Sequence, residues 1–144
     1  MLELHGGCHC GNIGVTYRTC TPPENSRTRA CQCTFCRKHQ TRAVSDPAGF
    51  LEISLNVPEA INRYQFGIGS CDFIVCRDCG VYVAAYMPDP DDVRGYATLM
   101  ASVLIDHARF PEATPTHYDN ETGSERAERR RRVWTPAAVR TEAE

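Results

Sequence analysis

The sequence lacks long apolar runs and carries little net charge. Its longest nearly apolar stretch, residues 97–105, is far shorter than the roughly 20 residues that span a bilayer as a helix. The 16 basic and 18 acidic residues give a formal charge of −2, which argues against a general binder of nucleic acids or membrane surfaces. The amino terminus has neither the basic region nor the apolar region of a secretory leader. We therefore expect a cytoplasmic protein that binds neither nucleic acid nor membrane.

Long amphipathic helical patterns are also missing before residue 124. The 144 residues, 42% of them hydrophobic, are enough for one domain with a real core. Within it, Ile13, Val15 and Tyr17 alternate with more polar residues, which is typical of a half-buried strand. Further short segments, separated by Gly, Pro or Asn, predict strands over 50–55, 61–66, 72–75, 81–87 and 96–103. Many short strands predict a mainly β body, interrupted by a short helix that begins after Cys33.

The cysteines are unusually numerous. There are nine, an odd number, and without a leader a reducing compartment is expected, so a disulfide scaffold is disfavoured. Seven fall into three closely spaced motifs: C-x-C at Cys8 and Cys10, C-x-C-x-x-C at Cys31, Cys33 and Cys36, and C-x-x-C at Cys76 and Cys79. Such spacing brings several thiolates to one ion, and zinc prefers four of them. We interpret Cys20 and Cys71 as ordinary buried residues.

The three motifs divide into four cysteines plus three. The outer pairs, Cys8 with Cys10 and Cys76 with Cys79, would bind one structural zinc and so join the two ends of residues 8–80. The middle motif then has three thiolates and no obvious fourth ligand. Catalytic zinc sites keep one position open, so we predict a second, open zinc site there.

Three residues next to the middle motif are candidates for binding substrate. Arg37 and Lys38 could hold a substrate carboxylate, and flanking surface charge is the alternative interpretation. His39 could handle a proton. Alternatively, His39 could close the second zinc site, which would make that site structural.

The carboxyl-terminal segment differs from the rest. Ser124 is a plausible N-cap for a helix that carries Arg126 and the block 129–132. We predict that residues 1–123 form the zinc-binding domain and that 124–144 form an arginine-rich helix and tail packed on it through Trp134. We interpret the arginines as a solvated face that meets nearby acids, with contact to phosphate or an acidic partner as the alternative.

Together these motifs resemble the CENP-V/GFA family, the glutathione-dependent formaldehyde-activating enzymes and their relatives. The matching residues are Gly7–Gly11, Cys31–Lys38, Tyr64, Phe73–Cys76, Cys79, Gly80 and Trp134. The resemblance implies an Mss4-like fold, a compact arrangement of small β-sheets stapled by zinc. It also implies that Cys8, Cys10, Cys76 and Cys79 bind the structural zinc and that Cys31, Cys33 and Cys36 bind a catalytic one.

The resemblance further implies a carbon–sulfur lyase-like activity. The substrates would be a small thiol such as glutathione and a small aldehyde such as formaldehyde. Two alternatives remain open: a non-enzymatic zinc-stabilised binding module of the CENP-V type, and a thiol redox sensor that uses the middle motif without metal. Exposed strand edges would also allow pairing into a homo-oligomer.

Overall fold

The computed structural model describes residues 1–141, and it is mainly β. Its strands are β1 (Leu2–Gly7), β2 (Ile13–Thr19), β3 (Arg29–Cys31), β4 (Ala43–Val44), β5 (Phe50–Leu55), β6 (Ile61–Tyr64), β7 (Asp72–Cys76), β8 (Tyr82–Pro88), β9 (Gly95–Met100), β10 (Thr114–Thr116) and β11 (Thr135–Thr141). Its α-helices are α1 (Thr34–His39) and α2 (Gly123–Val133), and short 3-10 turns lie at Pro23–Asn25, Pro58–Ala60, Ala101–Val103 and His107–Arg109. The predicted mainly β fold with a short carboxyl-terminal helix is confirmed. In this part of the chain no helix is long and apolar enough to span a membrane.

The strands join into one mixed sheet. Its main path runs β1-β2-β5-β11-β9-β4-β3-β10, and the ribbon β6-β7-β8 branches from it where β8 pairs with β9. The β11–β5 and β10–β3 pairs are parallel, and the others are antiparallel. The small sheets expected from the family resemblance are therefore linked into a single hydrogen-bonded network.

The alternating pattern of β2 buries one of its faces. Ile13, Val15 and Tyr17 are all buried, and Val15 lies opposite Ile53 of β5, whose inward residues alternate in the same way. Because side chains on a strand alternate between faces, this pairing fixes the register between the two strands. These strands supply much of the larger of two apolar clusters.

Strand β8 is buried along nearly its whole length because apolar residues pack on both of its faces. Val83 and Tyr86 join the larger cluster, whereas Tyr82 and Met87 join a smaller cluster built around Phe73, Met100 and Trp134. The smaller cluster also contains Cys36 and packs against Cys31 and Cys33. The middle cysteine motif therefore rests on a packed apolar base.

Helix α2 begins two residues earlier than the sequence pattern indicated. Thr122 is the N-cap: the Glu125 backbone N–H donates to its hydroxyl at 3.1 Å, and the Thr122 N–H donates to the Glu125 carboxylate at 2.9 Å. The prediction of Ser124 as the cap was wrong, because Thr122 and Glu125 form a reciprocal capping box and Ser124 already lies within the first helical turn.

The segment after α2 enters the sheet itself. Strand β11 lies between β5 and β9, and Ala137 at its centre is fully buried. The last three residues of the predicted tail, 142–144, lie outside the described residues.

Candidate metal centres and active site

Two facing turns bring the outer cysteine pairs together. Cys8 follows β1 and Cys10 lies in the turn to β2, whereas Cys76 ends β7 and Cys79 lies in the turn to β8. The four sulfurs lie within 4.8 Å of one another. Gly80 has a φ of +79°, and its N–H donates to the Cys76 carbonyl at 2.9 Å. Only glycine adopts this conformation readily, so Gly80 allows the tight turn that points both thiols the same way.

The spacing of these sulfurs fits a tetrahedral ion. The Cys8 and Cys10 sulfurs are 3.8 Å apart, and the Cys10 and Cys76 sulfurs are 3.5 Å apart. Four sulfurs about 2.3 Å from one zinc ion would lie about 3.8 Å from each other. Backbone N–H groups of Ile13 and Cys79 donate to the Cys8 and Cys76 sulfurs and hold them in place.

The middle motif forms a second cluster with three members. Cys31 ends β3, Cys33 caps the amino terminus of α1, and Cys36 lies within that helix. Their sulfurs lie within 4.8 Å of one another, and no other His, Cys, Asp or Glu of residues 1–141 joins the group. His39, the alternative fourth ligand, is exposed and packs against Phe35 in a tilted arrangement with 4.5 Å between ring centroids.

Hydrogen bonds within this cluster distribute negative charge unequally. Contacts from the Cys31 side chain, and then from Cys36, hold the pKa of Cys33 well below the usual range of a thiol. The same network raises the pKa of Cys36. The three thiols therefore titrate as a unit, and a bound cation would release their remaining protons.

A cavity of about 120 Å³ opens beside the second cluster. Its wall includes all three cysteines of the middle motif and the apolar side chains of Phe66, Phe73, Met100 and Trp134. Thr41, Tyr82 and Thr116 also line it, and within residues 1–141 their buried hydroxyls have no hydrogen-bond partner. Burial keeps the pKa of Tyr82 well above its ordinary value. Its phenol is therefore a neutral hydrogen-bond donor without an acceptor in the described chain.

Four arginines also line the cavity: Arg29 of β3 and Arg126, Arg129 and Arg130 of α2. The prediction of a solvated arginine face was therefore wrong for part of the block, because Arg130 is only 7% exposed whereas Arg131 and Arg132 face solvent. Trp134 explains the difference. It is buried, and residues four and eight positions before it lie on the same side of the helix, so they also turn inward.

The glutathione-dependent formaldehyde-activating enzyme (GFA) family model matches residues 3–120. The chain belongs to the GFA family. Membership supports a function related to glutathione and formaldehyde. A crystal structure of a Rhodobacter sphaeroides protein has the same fold, with a TM-score of 0.57 and 23% identity over 78% of this chain and 99% of that one. No match was found among curated proteins.

The GFA match ends before the elements that close the cavity. Helix α2 and strand β11 both follow residue 120, so Arg130 and Trp134 lie outside the matched region. The sequence interpretation missed Arg29, Arg130 and Tyr82 as cavity residues. Two signals were available: Arg29 lies two positions before Cys31, and Arg130 lies four positions before Trp134.

The residues predicted to bind substrate lie elsewhere. Arg37, Lys38 and His39 are exposed on α1 and are not part of the cavity wall. Arg37 lines a shallower groove that Cys31 and Cys36 share from another side. Their role in substrate binding stays a prediction.

The two cysteines outside the motifs have different surroundings. Cys71 is buried as predicted, it lines the cavity, and burial raises its pKa. Cys20 is exposed, so the prediction of a buried residue was wrong. The inward positions of β2 are the odd-numbered ones up to Thr19, and Cys20 falls on the outward face.

Proposed function

We propose that this protein is a zinc-dependent carbon–sulfur lyase-like enzyme. It would reversibly join a small thiol, glutathione or a related compound, to formaldehyde or another small aldehyde. The observation that carries the proposal is the second cysteine cluster, which gathers three thiols without a fourth protein ligand from residues 1–141 and opens onto a cavity. A structural metal site would be closed by four protein ligands, whereas a catalytic one keeps a position for substrate.

The donor sets fit zinc. Cys8, Cys10, Cys76 and Cys79 would hold a structural ion, and Cys31, Cys33 and Cys36 a catalytic one. Bound at the second position, zinc would supply the positive charge that keeps a substrate thiol ionised at neutral pH. The pocket also fits this chemistry, because Phe66, Phe73 and Trp134 exclude water from one side of the cluster.

The residues of the chain would position the two reactants and stabilise charge. In the forward direction the substrate sulfur bonds to the carbonyl carbon, and the π electrons of the carbonyl group move to its oxygen. The Tyr82 hydroxyl, which is buried and without a partner in the described structure, would donate a hydrogen bond to that oxygen as its charge develops. The oxygen finally gains a proton, which balances the one lost by the thiol. The product is R–S–CH2–OH, and the reverse sequence releases both reactants.

Metal content and exchange kinetics together test the proposal. We expect about two zinc ions per chain in freshly purified protein. The wild type should accelerate exchange between formaldehyde, glutathione and their adduct, as measured by NMR exchange spectroscopy. Cys33→Ser should lose one zinc ion, remain folded and fall to the uncatalysed exchange rate. Cys20→Ser, which changes an exposed cysteine outside both clusters, is the matched control and should behave as wild type.

Two outcomes would count against the enzyme proposal. A wild type with one zinc ion, unchanged in metal content and rate by Cys33→Ser, would overturn the enzyme proposal. Two zinc ions without acceleration for glutathione or other small thiols would instead favour the zinc-stabilised binding module.

A further inference from the structure

Two arginines in the cavity wall have no acidic partner. Arg29 and Arg130 are each only 7% exposed, and among residues 1–141 neither forms an ion pair. Arg29 donates to the hydroxyls of Ser45 and Thr98, and one terminal nitrogen of Arg130 donates to the Ser70 hydroxyl at 2.8 Å. The Nε–H of Arg130 is buried and has no acceptor within the described chain.

The neighbouring acids leave this positive charge uncompensated. Glu121 pairs with the other two arginines of the wall, at 2.7 Å from Arg129 and 3.5 Å from Arg126. Asp119 also lines the cavity but is exposed at its rim. Burial lowers the pKa of Arg29 and Arg130, yet guanidinium groups stay charged in proteins. Burying two guanidinium groups that pair with no carboxylate is costly, and a bound anion would offset that cost.

The position of Arg29 relates this charge to the second cysteine cluster. Arg29 and Cys31 are two positions apart on β3, so their side chains leave the same face of the strand about 7 Å apart. Both line the cavity. One short molecule could therefore contact the cysteine cluster at one end and a guanidinium group at the other.

The cavity also limits the size of its occupant. A cavity of about 150 Å³ holds a molecule the size of benzene, and this one is about 120 Å³. An acid with a short carbon chain fits such a space, whereas the glutathione tripeptide would have to extend outside it. A guanidinium group can bind a carboxylate through two parallel N–H···O hydrogen bonds.

From these observations, and resting on the proposed function, we propose that Arg29 and Arg130 form a carboxylate subsite. The preferred thiol substrate is then a short mercapto-carboxylic acid of about two to four carbons. Its sulfur lies at Cys31, Cys33 and Cys36, and its carboxylate lies between the two arginines. Specificity for the thiol thus depends on α2, an element outside the matched GFA region.

Calorimetric titration of the zinc-loaded full chain tests the subsite. The probes are 3-mercaptopropionate, its uncharged amide 3-mercaptopropionamide, and propionate, which lacks the sulfur. We expect the mercapto acid to bind wild type at least about tenfold more tightly than the amide. Arg130→Gln and Arg29→Gln should each remove most of that preference and leave the affinity for the amide unchanged. Arg131→Gln, an exposed arginine on the same helix, should keep it.

The probes separate failure of the subsite from failure of the proposed function. Equal affinity of wild type for the mercapto acid and its amide would overturn the subsite, and this comparison does not depend on any variant folding. The proposed function would survive that result. If 3-mercaptopropionate binds no better than propionate, the sulfur contributes nothing and the proposed thiol chemistry is contradicted. Loss of propionate binding in Arg130→Gln would support the carboxylate subsite even then.

Discussion

Asp46 is a buried carboxylate that ties β2 to β11. Its side chain accepts hydrogen bonds from the Thr19 hydroxyl at 2.7 Å and from the backbone N–H groups of Cys20 and Ala48, each at 2.9 Å. Its own N–H donates to the hydroxyl of Thr135, the first residue of β11. Burial by itself would raise the pKa of Asp46, but these hydrogen bonds more than offset it, so the pKa lies below its ordinary value.

The substitution Asp46→Asn should lower the free energy of unfolding by about 1–3 kcal/mol at pH 7, because two amide hydrogens would face groups that are themselves donors. A depressed carboxyl pKa contributes stability above the unfolded value, near pH 4, and that stability is lost as the pH falls through the folded value. Wild type and variant should therefore converge in acid. Calorimetric melting at pH 7 and pH 3 measures this. A constant difference would contradict it, and the exposed Asp91→Asn is the control.

Among the patterns in the sequence, the spacing of the cysteines was the best guide to functional residues, because it indicated all seven candidate metal ligands. Within each motif the cysteines converge because their spacing is local and each turn is short, whereas the two outer pairs meet because the turns that carry them face each other. Arg29 and Arg130 could not be found in the same way. Each faces the cavity only because β3 and α2, far apart in sequence, pack around the same space. A run of arginines in a sequence indicates a solvent-exposed face, and only the packing of a neighbouring residue such as Trp134 shows which of them is buried.

At the scale of elements, the amino terminus of α2 depends on one reciprocal pair of hydrogen bonds. Thr122→Ala should lower the free energy of unfolding by about 1 kcal/mol, because the Glu125 N–H loses its acceptor. Ser124→Ala, two residues later and exposed, should change it by a few tenths at most. Urea denaturation of both variants provides the comparison. Equal effects would mean that the cap does not contribute as the geometry indicates.

Strand β11 shows why a central strand escaped detection from the sequence. It contains Pro136 and two alanines, residues that are depleted in strands. The structure tolerates the proline because β11 pairs only with β9 at that position, and pairing with β5 begins at Ala137. The missing N–H therefore falls where one edge of the strand is still free. Strands with a clear alternation, such as β2, were predicted correctly because their burial pattern is local.

At the scale of the whole molecule, the first cysteine cluster links the β1–β2 hairpin to the β7–β8 hairpin. Strand β11 lies after the predicted boundary at residue 123 yet pairs with strands from the body. We propose that residues 1–141 unfold as one cooperative unit stabilised by metal. The order of the strands was not predictable, because pairing between distant segments leaves no local pattern.

Chelation tests this cooperativity. Removing metal with a strong zinc chelator should lower the melting temperature by about 10 °C or more, because ligand binding energy at such sites is folding energy. One transition should persist throughout. Cys79→Ser should melt low with or without chelator, which isolates the effect of the first cluster. Two separate transitions in the wild type would show that the carboxyl-terminal segment folds independently.

The place of β11 in the sheet has a consequence for synthesis on the ribosome. A nascent chain folds from its amino terminus as it emerges, yet the strand that joins β5 to β9 is the last one of the described chain to appear. Until residue 141 has left the exit tunnel, the facing edges of β5 and β9 have no partner. Open strand edges attract other chains. The growing polypeptide is therefore vulnerable to aggregation until β11 is inserted.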